Sequence, residues 1–395
     1  MSRCTLLIVL LVAVPAGADD VFDPKSKLKV EAAGGVGGEG PAWHPKLGVV
    51  CSGNDDINRV APDGKVSVYR KAAGTNGLLF DAEGGLLACE PGQRRITRTF
   101  DDKVVVLAGK FEGKRFTEPN DLTVDSKGRI YFSDPCYGDR SKIEMKDEKG
   151  QSIEGVYRID RDGKVSRVIG REVERANGVL VSPDDKFLFV ADNNNNAVKG
   201  ARKLYRFELN SDGSVDLKSQ KLLYDWGTGR GPDGLKQDTK GRLYVAAGLN
   251  KPSPPFESAT DVKGGIYVLA PDGKLLTFLP ISTDEVTNCA FGGEDRKTLY
   301  ITGGGTLYSI RTTTPGVVFV LDVPRVADPV RVFDQMRLVA KRMTQTLEGV
   351  LVDDNRRPIT DTSLAAIRAQ VQATAVALRE AHIDSGGARA LRLFG

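Results

Sequence analysis

Arg115-Phe116-Thr117-Glu118-Pro119-Asn120-Asp121-Leu122-Thr123-Val124-Asp125 runs through a Ser126-Lys127-Gly128 turn into Ile130-Tyr131-Phe132-Ser133-Asp134. A polar pair, a short alternating apolar run, a glycine turn and a second apolar run predict two antiparallel strands. The same module recurs. Asn76-Gly77-Leu78 leads to Leu86-Leu87-Ala88, Asn177-Gly178-Val179 to Phe187-Leu188-Phe189, and Asp233-Gly234-Leu235 to Leu243-Tyr244-Val245. Asn288-Cys289-Ala290 leads to Leu299-Tyr300-Ile301, and a divergent copy runs from Glu39-Gly40-Pro41-Ala42-Trp43 to Val49-Val50-Cys51.

Module starts at 39, 76, 120, 177, 233 and 288 are separated by 37, 44, 57, 56 and 55 residues, a spacing that suits propeller blades. Between most starts lies a second hairpin with an Asp-Gly turn, as at Asp63-Gly64, Asp162-Gly163 and Asp272-Gly273. Two hairpins make one four-stranded blade, so the predicted fold is all-β: a six-bladed β-propeller over 27–316 with a helical C-terminal extension over 317–395. The alternating strand direction places the short turns on one face. The opposite face receives the long loops Cys136–Glu154, Asp192–Arg202 and Leu249–Gly264, and function is expected there. The first of these is expected to act as a lid, with Tyr137 toward substrate.

Ring closure is predicted from the strand-like Lys27-Leu28-Lys29-Val30-Glu31-Ala32, which would supply the fourth strand of the sixth blade; Val317–Leu321 is the competing candidate. Residues 1–18 read as a signal peptide, with Arg3, an apolar Leu6–Val14 and a small Ala16-Gly17-Ala18. The protein is therefore expected to be exported, periplasmic or secreted. The tail's apolar spacing (Phe333, Met336, Ala340, Met343; Leu364, Ile367, Val371) predicts helices for packing or interaction, with the partner left open. Cys51, Cys89, Cys136 and Cys289 permit disulfides without forming a dense framework, and buried free thiols are the plainer reading.

Composition narrows the chemistry. A net charge of +4 without a basic block gives no sign of nucleic-acid binding, and no segment after the leader is long and apolar enough to span a membrane. With two histidines, His44 and His382, a Ser-His-Asp site inside the propeller is not expected. What the repeat offers is a polar residue at the start of each innermost strand: Glu39, Asn76, Asn120, Asn177, Asp233 and Asn288. Converging at one mouth of the channel, they form a hard oxygen set suited to one divalent cation, calcium first, with Mg, Mn or Zn as alternatives. Asn-Gly and Asp-Gly are also ordinary turn formers, so each pair taken singly has a plainer explanation.

Glu39-Gly40-Pro41-Ala42-Trp43, Pro119-Asn120-Asp121, Ser133-Asp134-Pro135, Asn177-Gly178-Val179, Pro232-Asp233-Gly234 and Cys289-Ala290-Phe291-Gly292-Gly293 occur in this order. They resemble the senescence-marker-protein/gluconolactonase/LRE-like family, which includes regucalcin and bacterial gluconolactonases. The resemblance spans about residues 27–315 and implies a metal-dependent lactonase acting on a small sugar lactone. It implies metal ligands at Glu39, Asn177 and Asp233, with Asn120 near the metal or its water, and a substrate-contacting arginine at Arg115. Asp233 is the expected general base. Two other readings stand beside this one: a phosphotriesterase of the diisopropyl-fluorophosphatase kind, and a non-catalytic propeller binding module.

Overall fold

The computed structural model describes residues 21–317; the expected leader and all of the expected C-terminal extension except Val317 lie outside them. Six four-stranded antiparallel sheets follow one another. After β1 (Lys29–Gly37), the first sheet holds β2 (Glu39–His44), β3 (Gly48–Gly53), β4 (Asp56–Val60) and β5 (Val66–Arg70). The second holds β6 (Leu78–Phe80), β7 (Leu86–Glu90), β8 (Arg95–Phe100) and β9 (Lys103–Ala108). A small hairpin, β10 (Lys110–Phe111) and β11 (Lys114–Arg115), leads to the third: β12 (Leu122–Val124), β13 (Ile130–Ser133), β14 (Val156–Ile159) and β15 (Val165–Ile169). The fourth holds β16 (Ala176–Val181), β17 (Phe187–Asn193), β18 (Arg202–Leu209) and β19 (Val215–Asp225). The fifth holds β20 (Pro232–Gln237), β21 (Leu243–Ala247), β22 (Gly265–Leu269) and β23 (Leu275–Pro280). The sixth is β24 (Val286–Gly292), β25 (Thr298–Gly303) and β26 (Gly305–Arg311), completed by β1 in the order β1-β26-β25-β24.

Closure uses the N-terminal strand, extended to Gly37, in the register Lys29↔Ser309 to Gly37↔Gly305. It removes the open edge that β26 would otherwise present. The bridge Phe22↔Thr312 adds a second tie on the same seam, and Val21 and Phe22 pack on the cluster of Tyr244, Ile266, Phe291 and Ile301.

Sheet-to-sheet contacts form the core. Tyr131, Tyr157, Tyr244, Phe80, Phe116, Phe132 and Phe207 are all fully buried. Each such ring withdraws about 150–250 Å² from water, so the packing between blades dominates the stability. Polar hubs fix the short turns. Asp238 accepts the Lys240 and Arg242 amides at 2.9 and 3.0 Å, the Arg242 Nε at 2.6 Å and the Tyr244 hydroxyl at 3.1 Å. Asp125 binds the Lys127 and Arg129 amides and the Arg129 Nε in the same way. The motifs Asp125-Ser-Lys-Gly-Arg129 and Asp238-Thr-Lys-Gly-Arg242 thus encode turn, ion pair and blade packing together. Cys51, Cys89, Cys136 and Cys289 are buried free thiols. Among the described residues no helix is long and apolar enough to cross a membrane.

Candidate active site

The innermost strands β2, β6, β12, β16, β20 and β24 line the channel, and their N-terminal ends carry the expected polar ring. Glu39, Asn177, Asp233 and Asn288 lie within β2, β16, β20 and β24, while Asn76 and Asn120 stand just before β6 and β12. The ladder slips at four of these places, between Glu39/Ala42, Ala176/Val179, Pro232/Leu235 and Val286/Asn288. Such bulges re-aim side chains that regular pleating would turn aside.

The glycines beside the ring residues have a job other than turning. A Cβ on Gly178 would stand 2.1 Å from the Asp233 carbonyl oxygen, and one on Gly234 would stand 1.9 Å from the Asn288 side chain. Each Asn-Gly or Asp-Gly pair therefore combines a channel-facing polar group with the gap that admits the next blade. The turn explanation, open in the sequence, does not hold for these two pairs.

Two half-buried carboxylates share the mouth, and both hold their protons more tightly than usual. Burial pushes the Glu39 carboxyl up from 4.5 to about 7, although the Asn288 amide donates to its Oε1 at 2.9 Å. Asp233 is raised well above the ordinary carboxylate range, by burial first and then by the charge of Glu39; Arg230 opposes the rise. Deeper in the channel, burial also raises Asp121, with Lys236 opposing. Around this pair, Oδ1 of Asn76, Asn120 and Asn177 is buried without a hydrogen-bond partner. Buried amide oxygens are ordinarily paired, so several of them orphaned beside two unneutralised carboxylates form a donor set for a hard cation. Among the described residues no group of three or more His, Cys, Asp or Glu could hold a metal; this set mixes carboxylates with amide oxygens. The opposite end of the channel is mainly apolar, lined by Pro41, Trp43, Phe80, Leu180 and Phe291, and offers no such chemistry.

Arg115 is placed apart from the ring. It is exposed on β11, donates to the Gln93 carbonyl at 3.2 Å, and lines an open cavity with Arg94, Glu118 and Lys142. That cavity adjoins the mouth through Glu118, whose carboxylate accepts the Tyr137 amide at 2.7 Å. The loop expected to be a lid is divided. Ile143, Met145 and Ile153 are buried, Met145 and Ile153 within the third-blade core, and the intervening Asp147–Gly150 turn is exposed except at its half-buried first residue. Tyr137 turns inward, and its hydroxyl accepts the Asn177 Nδ2 at 2.9 Å.

Sequence reasoning missed the charged frame behind the ring. Arg230 pairs with Glu257 and Glu285, each at 2.6 Å, and Arg175 with Glu154 at 2.7 Å. These partners come from different blades and loops at no fixed spacing, so no local pattern marks them. Asp121 carried a faint signal: it follows Asn120 where Asn76, Asn177 and Asp233 are followed by glycine.

The family model described as the SMP-30/gluconolactonase/LRE-like region matches residues 37–305. The chain belongs to this family. Among relatives of this SMP-30/gluconolactonase/LRE-like member is the gluconolactonase of Zymomonas mobilis, 28% identical over 325 residues, covering 75% of this chain and 85% of the relative. The 6-deoxy-6-sulfogluconolactonase of Pseudomonas putida is 28% identical over 225 residues, 53% of this chain and 67% of the relative. Among solved structures, a gluconolactonase from Xanthomonas campestris superposes with a TM-score of 0.60 at 27% identity, covering 74% of this chain and 91% of the other. A second family model, the ZipA C-terminal FtsZ-binding domain, matches residues 309–370, of which 318–370 lie outside the described residues.

Proposed function

We propose that this member of the family hydrolyses a sugar lactone at a divalent-cation site held by Glu39, Asn177 and Asp233. One observation carries the reading: two half-buried carboxylates, each with its proton affinity raised by desolvation, stand beside orphaned amide oxygens at the mouth where the long loops gather. A cation balances the charge and occupies the lone pairs. Hard oxygen donors of this kind suit calcium. When bound, such an ion polarises a carbonyl and acidifies an adjacent water.

The remaining steps belong to the chain. Asp233 takes the proton of the attacking water, since Glu39 and Asp233 are the carboxylates of the ring and Glu39 Oε1 already accepts the Asn288 amide. Asn120 orients the lactone and stabilises the oxygen on which charge develops. Arg115, on the rim, meets the part of the sugar remote from the carbonyl. Hydrolysis of sugar lactones is the activity named for the Zymomonas and Pseudomonas relatives, which supports the substrate class. The charge, apolar run and small residues of 1–18 support export, testable by N-terminal sequencing of the mature protein.

The test is to strip the protein with chelator, reload it with calcium, magnesium, manganese or zinc, and follow acid release from hexono- and pentonolactones beside a phosphotriester. Hydrolysis of a lactone that requires the reloaded ion supports the proposal. Preference for the phosphotriester, or no cation uptake and no turnover, overturns it.

A further inference from the structure

We infer that Tyr137 is a positioning residue that fixes which way the Asn177 carboxamide faces, and so sets how tightly the mouth holds its cation. The inference rests on the cation reading above. A carboxamide presents an oxygen and a nitrogen of nearly equal size, and only the oxygen binds a cation. Something must therefore choose between two orientations half a turn apart.

The Tyr137 phenol makes that choice because it has one proton. It donates the proton to the Asn193 carbonyl at 3.1 Å. Toward Asn177, 2.9 Å away, the phenol oxygen is then an acceptor and must meet the amide nitrogen. Oδ1 is left pointing elsewhere, buried and without a partner in the protein. A flipped amide would set oxygen against oxygen at the phenol and turn two donors toward the ion.

The phenol is itself held firmly. Its backbone amide and that of Gly138 donate to Glu118 Oε2 at 2.7 and 3.0 Å. Its ring lies 5.2 Å beneath the Arg175 guanidinium, which is fixed by Glu154 at 2.7 Å and Asn196 at 2.8 Å. The loop between β13 and β14 thus reaches across to a ligand on β16 and an acceptor on β17. Hydrogen bonds made to the far side of a metal ligand orient it and commonly account for about 10–100-fold in metal affinity.

The experiment compares calcium binding by calorimetry in the chelator-stripped full chain, for wild type, Tyr137→Phe, Asn177→Ala and the double variant. Tyr137→Phe keeps the ring under Arg175 and removes only the hydroxyl. The expected result is about 10–100-fold weaker binding, a melting temperature of the stripped form close to wild type, and no further loss when the change is made in Asn177→Ala. Wild-type affinity in Tyr137→Phe overturns the inference, as does an equal loss with and without Asn177. Failure of the wild type to take up calcium, magnesium, manganese or zinc sinks the cation reading itself, and that outcome is separate from any property of Tyr137.

Discussion

Replacing Glu39 by glutamine should make the cation-free protein more stable while weakening its grip on the cation. The Glu39 carboxyl is displaced from 4.5 to about 7 by burial. The folded chain therefore keeps this proton to higher pH than the unfolded chain does. Stability is undiminished below about pH 4.5, falls as pH rises from there to about 7, and above that is lower by about 3 kcal/mol. Glutamine has no charge to desolvate and escapes that loss. It also forfeits one acceptor oxygen, at about 1 kcal/mol, leaving a net gain of about 2 kcal/mol at pH 8. For a domain of this size that is a rise in melting temperature of roughly 3 °C. The assay is calorimetric melting in chelator at pH 8 and again at pH 4.5, where the advantage should vanish or reverse slightly. With saturating calcium the order should invert, because the ion rewards the charge that burial penalises. A Glu39→Gln protein no more stable than wild type at pH 8 in chelator would refute the reasoning.

The other expectations address chemistry and access. Asp233→Asn, assayed at a cation concentration shown to fill the site, should lose about a hundredfold or more in kcat; near-normal kcat at full occupancy would falsify the assignment of Asp233 as base. Asn120→Ala should leave cation affinity within a few-fold in calorimetry while kcat/KM falls, and loss of the cation instead would make Asn120 a ligand. Excising Asp147–Gly150 should change neither KM nor melting temperature, whereas Met145→Ala, at a position 1% exposed, should cost about 2–5 kcal/mol in denaturant unfolding. A shift in lactone preference on excision would give that turn the role of a lid.

The repeat made the architecture readable because a blade is a local object. Its strands and turns recur with their own punctuation, and Asp125-Ser-Lys-Gly-Arg129 can be recognised in Asp238-Thr-Lys-Gly-Arg242 without knowing what either packs against. The ring of Glu39, Asn177 and Asp233 was readable for the same reason, since identical offsets in successive blades must share one axis. The support of that ring was not. Tyr137 and Asn177 are 40 residues apart, Arg230 and Glu285 are 55, and their meeting depends on loop paths that carry no period. The loop around Met145 was legible only in part: its charges suggest a lid, while two apolar side chains, Met145 and Ile153, join the core of the third blade. Arg115, matched by resemblance and not by the repeat, stands outside the ring: β11 sets it on the rim, where it donates to the Gln93 carbonyl.

The seam between the first and last blades gives the molecule an order of events. Glu39 lies two residues beyond β1, whose hydrogen-bonding partner β26 ends at Arg311, and it is gripped by Asn288, 249 positions later. A chain made from its N-terminus produces this carboxylate early, and β3 pairs with its backbone, but the side chain that grips it does not exist until the sixth blade is made. Sheets one to five can assemble as they emerge, because each draws its four strands from one continuous stretch. Lactone turnover therefore reports that translation has passed the last strand: a chain halted before β24 could contain five recognisable sheets and still lack the pocket.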